Sequence, residues 1–151
     1  PQLFHPGDLD YIHSVERISK LSNVISINGG VQLDLMGQEN AESTGTRQLS
    51  GVGGQMDFLE GAYRSKGGKG FICINSSRVT KDGERKSNIL ATIPGGSTIS
   101  TPRTMIQYVA TEYGIASLSG KTLRERAEAM ASIAHPDFRE ELMKYARENF
   151  K

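Results

Sequence analysis

Three glycines in four residues constrain this chain more than any other stretch: Gly51, Gly53 and Gly54 in the run Ser50-Gly51-Val52-Gly53-Gly54-Gln55-Met56-Asp57-Phe58. Without a Cβ, the backbone there can adopt positive φ and approach a ligand or another segment closely. A helix is expected immediately afterwards, because Met56, Leu59, Ala62 and Tyr63 recur at helical spacing between Gln55 and Ser65. Consecutive amides ahead of a helix start can form an anion-binding nest, reinforced by the positive end of the helix. The plainer reading of the same residues is a flexible connector. The run is not a dinucleotide fingerprint, since Met56 stands where the third glycine would be required. Lys66-Gly67-Gly68-Lys69-Gly70 is not a Walker phosphate loop either, because Gly70 replaces the Ser or Thr that would hold magnesium.

The rest of the composition narrows the class. With 17 glycines in 151 residues the chain exceeds the roughly 7% glycine of soluble proteins. Its 36% hydrophobic fraction still allows a core, and the length suits one domain rather than two. A formal charge of +1, from 18 basic and 17 acidic residues, supplies no field to hold a polyanion, which argues against nucleic acid as a partner. His5, His13 and His135 with one distant cysteine offer no metal-ligand spacing, so no metal is expected. Cys73 lies in Phe71-Ile72-Cys73-Ile74 and reads as a small buried thiol in a chain of the cytoplasm. No apolar run reaches the length of a membrane span, and no secretory signal pattern opens the sequence. A start at Pro1 rather than Met suggests a piece of something longer.

Along the chain, Leu3 to Gly7 reads as an extended lead-in, and a short helix is expected near Ser14 to Lys20. Val24-Ile25-Ser26-Ile27 and Val31 to Leu35 flank Asn28-Gly29, a strong hairpin signal. Gly37 to Gly54 reads as one long polar loop. A second hairpin is expected from Gly70 to Ile74 and Asn88 to Ile93 around Asp82-Gly83, with the basic residues Arg78, Lys81, Arg85 and Lys86 at a solvated tip. Ser97 to Thr101 and Tyr108 to Thr111 are further strand candidates. Thr122-Leu123-Arg124-Glu125 fits a capping box, and His135-Pro136 starts a second helix with Pro at its first position. Phe138, Leu142, Tyr145 and Ala146 form the inward stripe of that helix, and Glu140 and Lys144 stand four apart in the favourable order. Strands first and helices last predict an α/β fold, a layered mixed sheet with the C-terminal helices packing on it. Glu112, between apolar neighbours in Thr111-Glu112-Tyr113-Gly114, is expected either to be hydrogen-bonded structurally or to face a site.

Several phrases taken together resemble one family. They are Ile27-Asn28, Leu33-Asp34-Leu35 with Gly37-Gln38, Ser50 to Gln55 with Asp57-Phe58, Gly67-Gly68-Lys69, Thr111-Glu112-Tyr113-Gly114-Ile115-Ala116, Gly120-Lys121-Thr122 with Arg124 to Ala127, and Ile133 to Arg139. The set is similar to the C-terminal domain of the acetyl-CoA hydrolase/transferase family, which includes 4-hydroxybutyrate, butyrate and acetate CoA-transferases. It extends from about Asp8 to Leu142 in the family's order.

The resemblance implies a CoA-transferase-like fold and transfer of coenzyme A between carboxylic acids through a glutamyl-CoA thioester. It makes acyl-CoA and a small carboxylate the substrates, with no tightly bound cofactor. The family's nucleophilic glutamate belongs to a His-Thr-Glu-like phrase upstream of the matched segment, and no such phrase occurs here. The implied partner is therefore an N-terminal domain of the same polypeptide, with a homo-oligomer left open. Gly53 and Gly54 would donate backbone amides to the oxyanion, flanked by Gly51, Val52 and Gln55 at the acyl-CoA. Asn28 and Gly30 would form a second approach to the coenzyme or acyl group. Lys69 could meet a coenzyme phosphate, and Glu112 could act from behind the reacting groups. Two departures from the family's pattern are Gln32, where relatives commonly carry Glu, and Asn88, where they commonly carry Arg. Hydrolysis of acyl-CoA and a non-catalytic CoA-binding module are the alternative functions.

Overall fold

The computed structural model describes residues 6–150; the lead-in expected over Leu3 to His5 lies outside them. Along the chain come α1 (Leu9–Ile12), α2 (Val15–Lys20), β1 (Ile25–Gly29), β2 (Gln32–Asp34), β3 (Glu39–Asn40), β4 (Ser43–Thr44), β5 (Arg47–Gln48) and α3 (Gln55–Arg64). They are followed by β6 (Lys69–Cys73), β7 (Ser77–Val79), β8 (Arg85–Ser87), β9 (Ile89–Leu90), β10 (Tyr108–Thr111), β11 (Gly114–Ser117), α4 (Leu123–Ser132) and α5 (Pro136–Asn149). The result is the mixed α/β architecture expected.

The larger sheet has the order β1-β6-β10-β11, with β1, β6 and β10 parallel and β11 returning antiparallel from β10. Alternation along the strands gives it two unlike faces. Ser26, Gly70, Ile72, Val109 and Ala116 point inward and are buried. The inner face is covered in part by α3, and Leu59 lies so close to Gly70 that a Cβ there would meet its Cδ2 at 2.9 Å. On the other face, Ile25, Ile27 and Ile115 are 52%, 69% and 63% exposed, and Phe71 stacks on Tyr108 with ring centroids 4.9 Å apart. A smaller sheet, β3-β2-β9, pairs β2 antiparallel with β3 and parallel with β9. Leu33, Leu35, Ile72, Ile89, Val109, Leu118 and Met130 are fully buried in one continuous core beneath α4 and α5, each contributing roughly 2 kcal/mol by leaving water.

Both expected hairpins are corrected. Asn28 and Gly29 do not form a turn; they belong to β1, opposite Ile72 and Cys73, and the chain crosses at Gly30 into the other sheet. The strands Gly70 to Ile74 and Asn88 to Ile93 do not pair with each other, because β6 has parallel partners on both sides and β9 pairs with β2. Asp82-Gly83 does turn a hairpin, but a local one made by the polar run itself, β7 with β8, with Gly83 at φ +81. Ser97 to Thr101 is not a strand; Thr101 makes one bridge to Glu39. The glycine-rich polar loop is tighter than expected: it contains β3, β4 and β5, and Asn40 Oδ1 accepts from the amides of Glu42 (3.2 Å) and Ser43 (2.9 Å). Cys73 is exposed rather than buried, because it lies on the outward face of β6.

The expected helix starts hold. The Thr122 hydroxyl accepts from the Glu125 amide while the Glu125 carboxylate accepts from the Thr122 amide, closing the capping box. His135 Nδ1 accepts from the Asp137 amide at the start of α5, and Pro136 occupies the first turn. Leu142 and Ala146 are buried, with Phe138 and Tyr145 packed beside them. Glu140 and Lys144 form no ion pair among the described residues.

A buried arginine ties α4 to the rest. Arg126, 8% exposed, donates from Nε to the Met36 carbonyl, from Nη1 to the Leu118 carbonyl and from Nη2 to the Arg103 carbonyl, each at 2.8 Å. Gly37, at φ +84, leaves room for it: a Cβ there would meet Nη2 at 2.7 Å. Replacing Arg126 by Met strips three carbonyls of a charged donor and is expected to cost about 3 kcal/mol. The check is the urea midpoint at unchanged m-value; an unaltered midpoint excludes the staple.

Candidate functional site

In open sheets with parallel strands, ligands sit outside the carboxyl ends of the strands. Here those ends are Gly29 of β1, Cys73 of β6 and Thr111 of β10, and a shallow open depression between them is lined by Gly30, Cys73, Ile74, Asn75, Ala110 and Thr111. α3 packs on β1 and β6 and leads back into β6, which puts the first turn of α3 at this same edge. The bend Gly51 to Gly54 therefore stands beside the carboxyl ends of the parallel strands.

The bend has the features the glycines suggested. Gly53 is in the left-handed region at φ +61, with nothing within 4 Å of where a Cβ would stand. Among the described residues, the amides of Gly51, Val52, Gly53 and Gly54 have no hydrogen-bond acceptor, and no side chain caps α3. Gly54 is at φ −90 and is needed for a different reason: a Cβ there would collide with the His13 ring. His13 in turn approaches Asp57 through Nδ1 at 3.3 Å and meets the Phe58 ring edge-on. This contact is not legible in the sequence, since His13 lies in a segment without clear periodicity.

The other sequence candidates separate into two groups. Asn28 lies on the inward face of β1 at its carboxyl end and donates to Ser26 Oγ at 2.8 Å. Glu112 follows β10 and is exposed, and it is hydrogen-bonded structurally, one of the two alternatives expected of it. Ser76, just beyond β6, donates to it from the hydroxyl (2.6 Å) and from the amide (2.9 Å). Desolvation pushes the Glu112 carboxyl up, but these bonds and the nearby His135 outweigh it and hold the group below the usual carboxylate range. Lys69 is not brought to this edge: it opens β6, opposite Ile25, at the amino end of the sheet. Asn88 is buried and structural, accepting from Arg78 at 2.5 Å and donating to the Asn75 carbonyl at 2.9 Å. Gln32 is likewise buried, on β2.

Against Gly30 and Gln55, on β3, is a residue that sequence reading passed over. Glu39 is fully buried; its Oε2 accepts from Gln55 Nε2, and the same Nε2 donates to Thr101 Oγ1 at 2.8 Å. Its Oε1 has no hydrogen-bond partner among the described residues and would lie 2.6 Å from a Cβ on Gly30. Gly30 is thus required by this close approach. Burial pushes the Glu39 carboxyl up to about 7, against the opposing pull of the neighbouring Thr101 and Gln55 side chains. A folded-state value above the unfolded 4.5 means that the native state binds the proton more tightly, so the stabilisation is complete at acid pH and is lost as pH rises through 7. Between about pH 4.5 and 7 this carboxyl is expected to remove up to about 3 kcal/mol of folding stability. Urea melts across that range should show the decline, and Glu39→Gln should flatten it; a parallel decline in the variant assigns the slope elsewhere.

Comparison with known proteins converges on one group. The family model described as the acetyl-CoA hydrolase/transferase C-terminal domain matches residues 2–146. The chain is 49% identical over 142 residues to a 4-hydroxybutyrate coenzyme A transferase of Clostridium kluyveri, covering 94% of this chain and 32% of that protein. It is 47% identical over 138 residues to a butyryl-CoA:acetate CoA-transferase of Anaerostipes caccae, covering 91% of this chain and 31% of that protein. Its fold superposes on the crystal structure of RipA from Yersinia pestis with a TM-score of 0.81 at 40% identity, covering 92% of this chain and 30% of that one. The chain thus spans about a third of the length of the relatives it matches. With a family model matched along nearly its whole length and a structural match over the same core, the chain belongs to the acetyl-CoA hydrolase/transferase family, as its C-terminal domain.

Proposed function

We propose that this chain is the C-terminal part of a CoA-transferase that moves coenzyme A between an acyl-CoA and a small carboxylic acid. The observation that carries the reading is the row of unpartnered amides from Gly51 to Gly54 at the start of α3, beside the carboxyl ends of three parallel strands. The relatives' names, CoA-transferases acting on butyryl or 4-hydroxybutyryl groups, supply the substrate class.

In this reading a glutamate carboxylate from the remainder of a longer polypeptide attacks the thioester carbonyl. The carbonyl π pair moves onto oxygen, and the Gly53 and Gly54 amides hold that charge. Collapse expels the CoA thiolate and leaves an acyl-glutamyl anhydride. The thiolate then attacks the glutamyl carbonyl, releases the acyl group as a carboxylate and leaves the glutamyl-CoA thioester. An acceptor carboxylate runs the two steps backwards, so the cycle consumes no water, metal or redox cofactor. Asn28 and Gly30 bound the acyl-CoA on the strand side, with Gly51, Val52 and Gln55 opposite. Glu112, kept anionic by Ser76, orients groups at the rim. Lys69 has no part in the chemistry at this edge. The apolar outer face of the larger sheet, with Ile25, Ile27 and Ile115 open, is the surface against which the rest of the polypeptide packs. We place the reaction in the cytoplasm, where the exposed Cys73 stays reduced. Among the described residues no helix is long and apolar enough to cross a membrane.

CoA exchange by the complete polypeptide is expected to depend on added acetate or butyrate; thioester loss indifferent to the acceptor assigns hydrolysis instead. Gly53→Val, whose side chain enters open space but at a disfavoured φ, should lower turnover by about 100- to 1000-fold while the variant still folds. Gly54→Val should lose stability as well, because it unseats His13. Full turnover by a folded Gly53→Val protein removes the oxyanion role from the bend.

A further inference from the structure

Glu39 is a fully buried carboxyl, and one of its oxygens has no hydrogen-bond partner among the described residues, which is uncommon for a buried polar atom. Its neighbours tie together the two loops of the proposed site. One oxygen engages Gln55, the first residue of α3 and the immediate successor of the glycine bend; the other abuts Gly30, the residue after β1. Thr101 closes the group by accepting from the same Gln55 amide. Glu39 Oε2 and Thr101 Oγ1 both accept from Gln55 Nε2, which fixes which way the Gln55 amide is turned: its NH2 end faces Glu39 and Thr101. The first turn of α3 is then held by a side chain as well as by the main chain, although it has no cap.

Resting on the functional reading above, we infer that Glu39 is a positioning residue: through Gln55 it fixes the Gly53–Gly54 bend, and against Gly30 it fixes the facing crossing from β1 to β2, so the two sides of the acyl-CoA site move as one body. The role belongs to the acceptor and the volume of the side chain rather than to its charge. Gln at position 39 can still offer a carbonyl to Gln55, whereas Met of similar bulk cannot.

The other ionisable groups on the elements packed around Glu39 are engaged elsewhere. Asp34 on β2 accepts from Gln38 at 2.9 and 2.7 Å, and Glu42 accepts from Gln48 and Ser100. Asp57 on α3 faces His13, and Arg103 beyond Thr101 faces Met36. His13 is the imidazole against the bend, so the comparison is made on a His13→Asn background.

The experiment follows the side-chain amide of Gln55 and the backbone amides of Gly53 and Gly54 by NMR in the full chain, in wild type, Glu39→Gln and Glu39→Met, together with kcat and KM in the complete polypeptide. In the His13→Asn protein with Glu39 intact, the three amides should titrate with one midpoint. Glu39→Gln should abolish that titration yet keep kcat within about twofold, whereas Glu39→Met should lower kcat by about tenfold to a hundredfold with KM for acyl-CoA nearly unchanged. A bend whose amides ignore Glu39 in wild type overturns the inference, even where Glu39→Met fails to fold. So does a folded Glu39→Met protein with wild-type kcat, or a Glu39→Gln protein as impaired as Glu39→Met. Absence of CoA transfer in wild type refutes the functional reading, and the amide titration still decides whether Glu39 holds the bend.

Discussion

The parallel pairing of β6 on both its edges is the constraint from which the site follows. Once β6 bonds to β1 on one side and to β10 on the other, all three strands end along one line, and every segment that follows them starts there. Gly30, Ser76 and Glu112 become neighbours of that line although they are scattered over more than 80 positions of sequence. The helix that feeds β6 must run back along the sheet, so its uncapped start, with the glycine bend ahead of it, arrives at the same place. A candidate site assembled this way offers main-chain amides and small residues rather than long side chains.

Polar side chains hold much of the remaining structure. Around the smaller sheet, Asp34 closes the turn at Gln38, Asn40 closes the turn at Ser43, Arg126 gathers three carbonyls and Glu39 grips Gln55. Each of these groups is buried or nearly so, and a buried polar group stabilises only when its bonds are made. Very short strands need such ties, because two or three ladder bonds cannot fix a segment's position alone. The glycines at 30 and 37 belong to the same economy of space, admitting a carboxylate and a guanidinium where a methyl group would not fit.

The elements legible in the sequence were those whose signals are local. The helix after the glycines, the capping box at Thr122 and the Pro136 start depend on residues within one turn of each other, and all appear where expected. The Asn28-Gly29 hairpin signal failed for the opposite reason, while Asp82-Gly83 turned only its local pair, β7 with β8. Asn28-Gly29 is a favourable turn pair, but β1 gains more by lying along β6, a partner some forty residues away, than by folding back on its neighbour. Cys73 reads as core from its apolar neighbours; strand alternation turns it outward on a face that sequence composition cannot distinguish from the inner one. Of the candidate site, the bend, Asn28 and Gly30 were visible as glycine and asparagine chemistry, and the family resemblance gave them a task. Glu39 was not visible: a lone glutamate in a polar segment looks solvated, and only its distant contacts with Gln55, Thr101 and Gly30 distinguish it.

What the sequence determined by itself is therefore short-range: where helices start, where the backbone is free to take positive φ, and which phrases mark the family. Tertiary structure alone decided which strands are neighbours, which face of the sheet is covered, and which carboxyl is buried. The physical reason is the range of the forces. Capping, helix periodicity and glycine's conformational freedom act within a few residues, whereas strand pairing and desolvation depend on whatever segment the fold brings alongside.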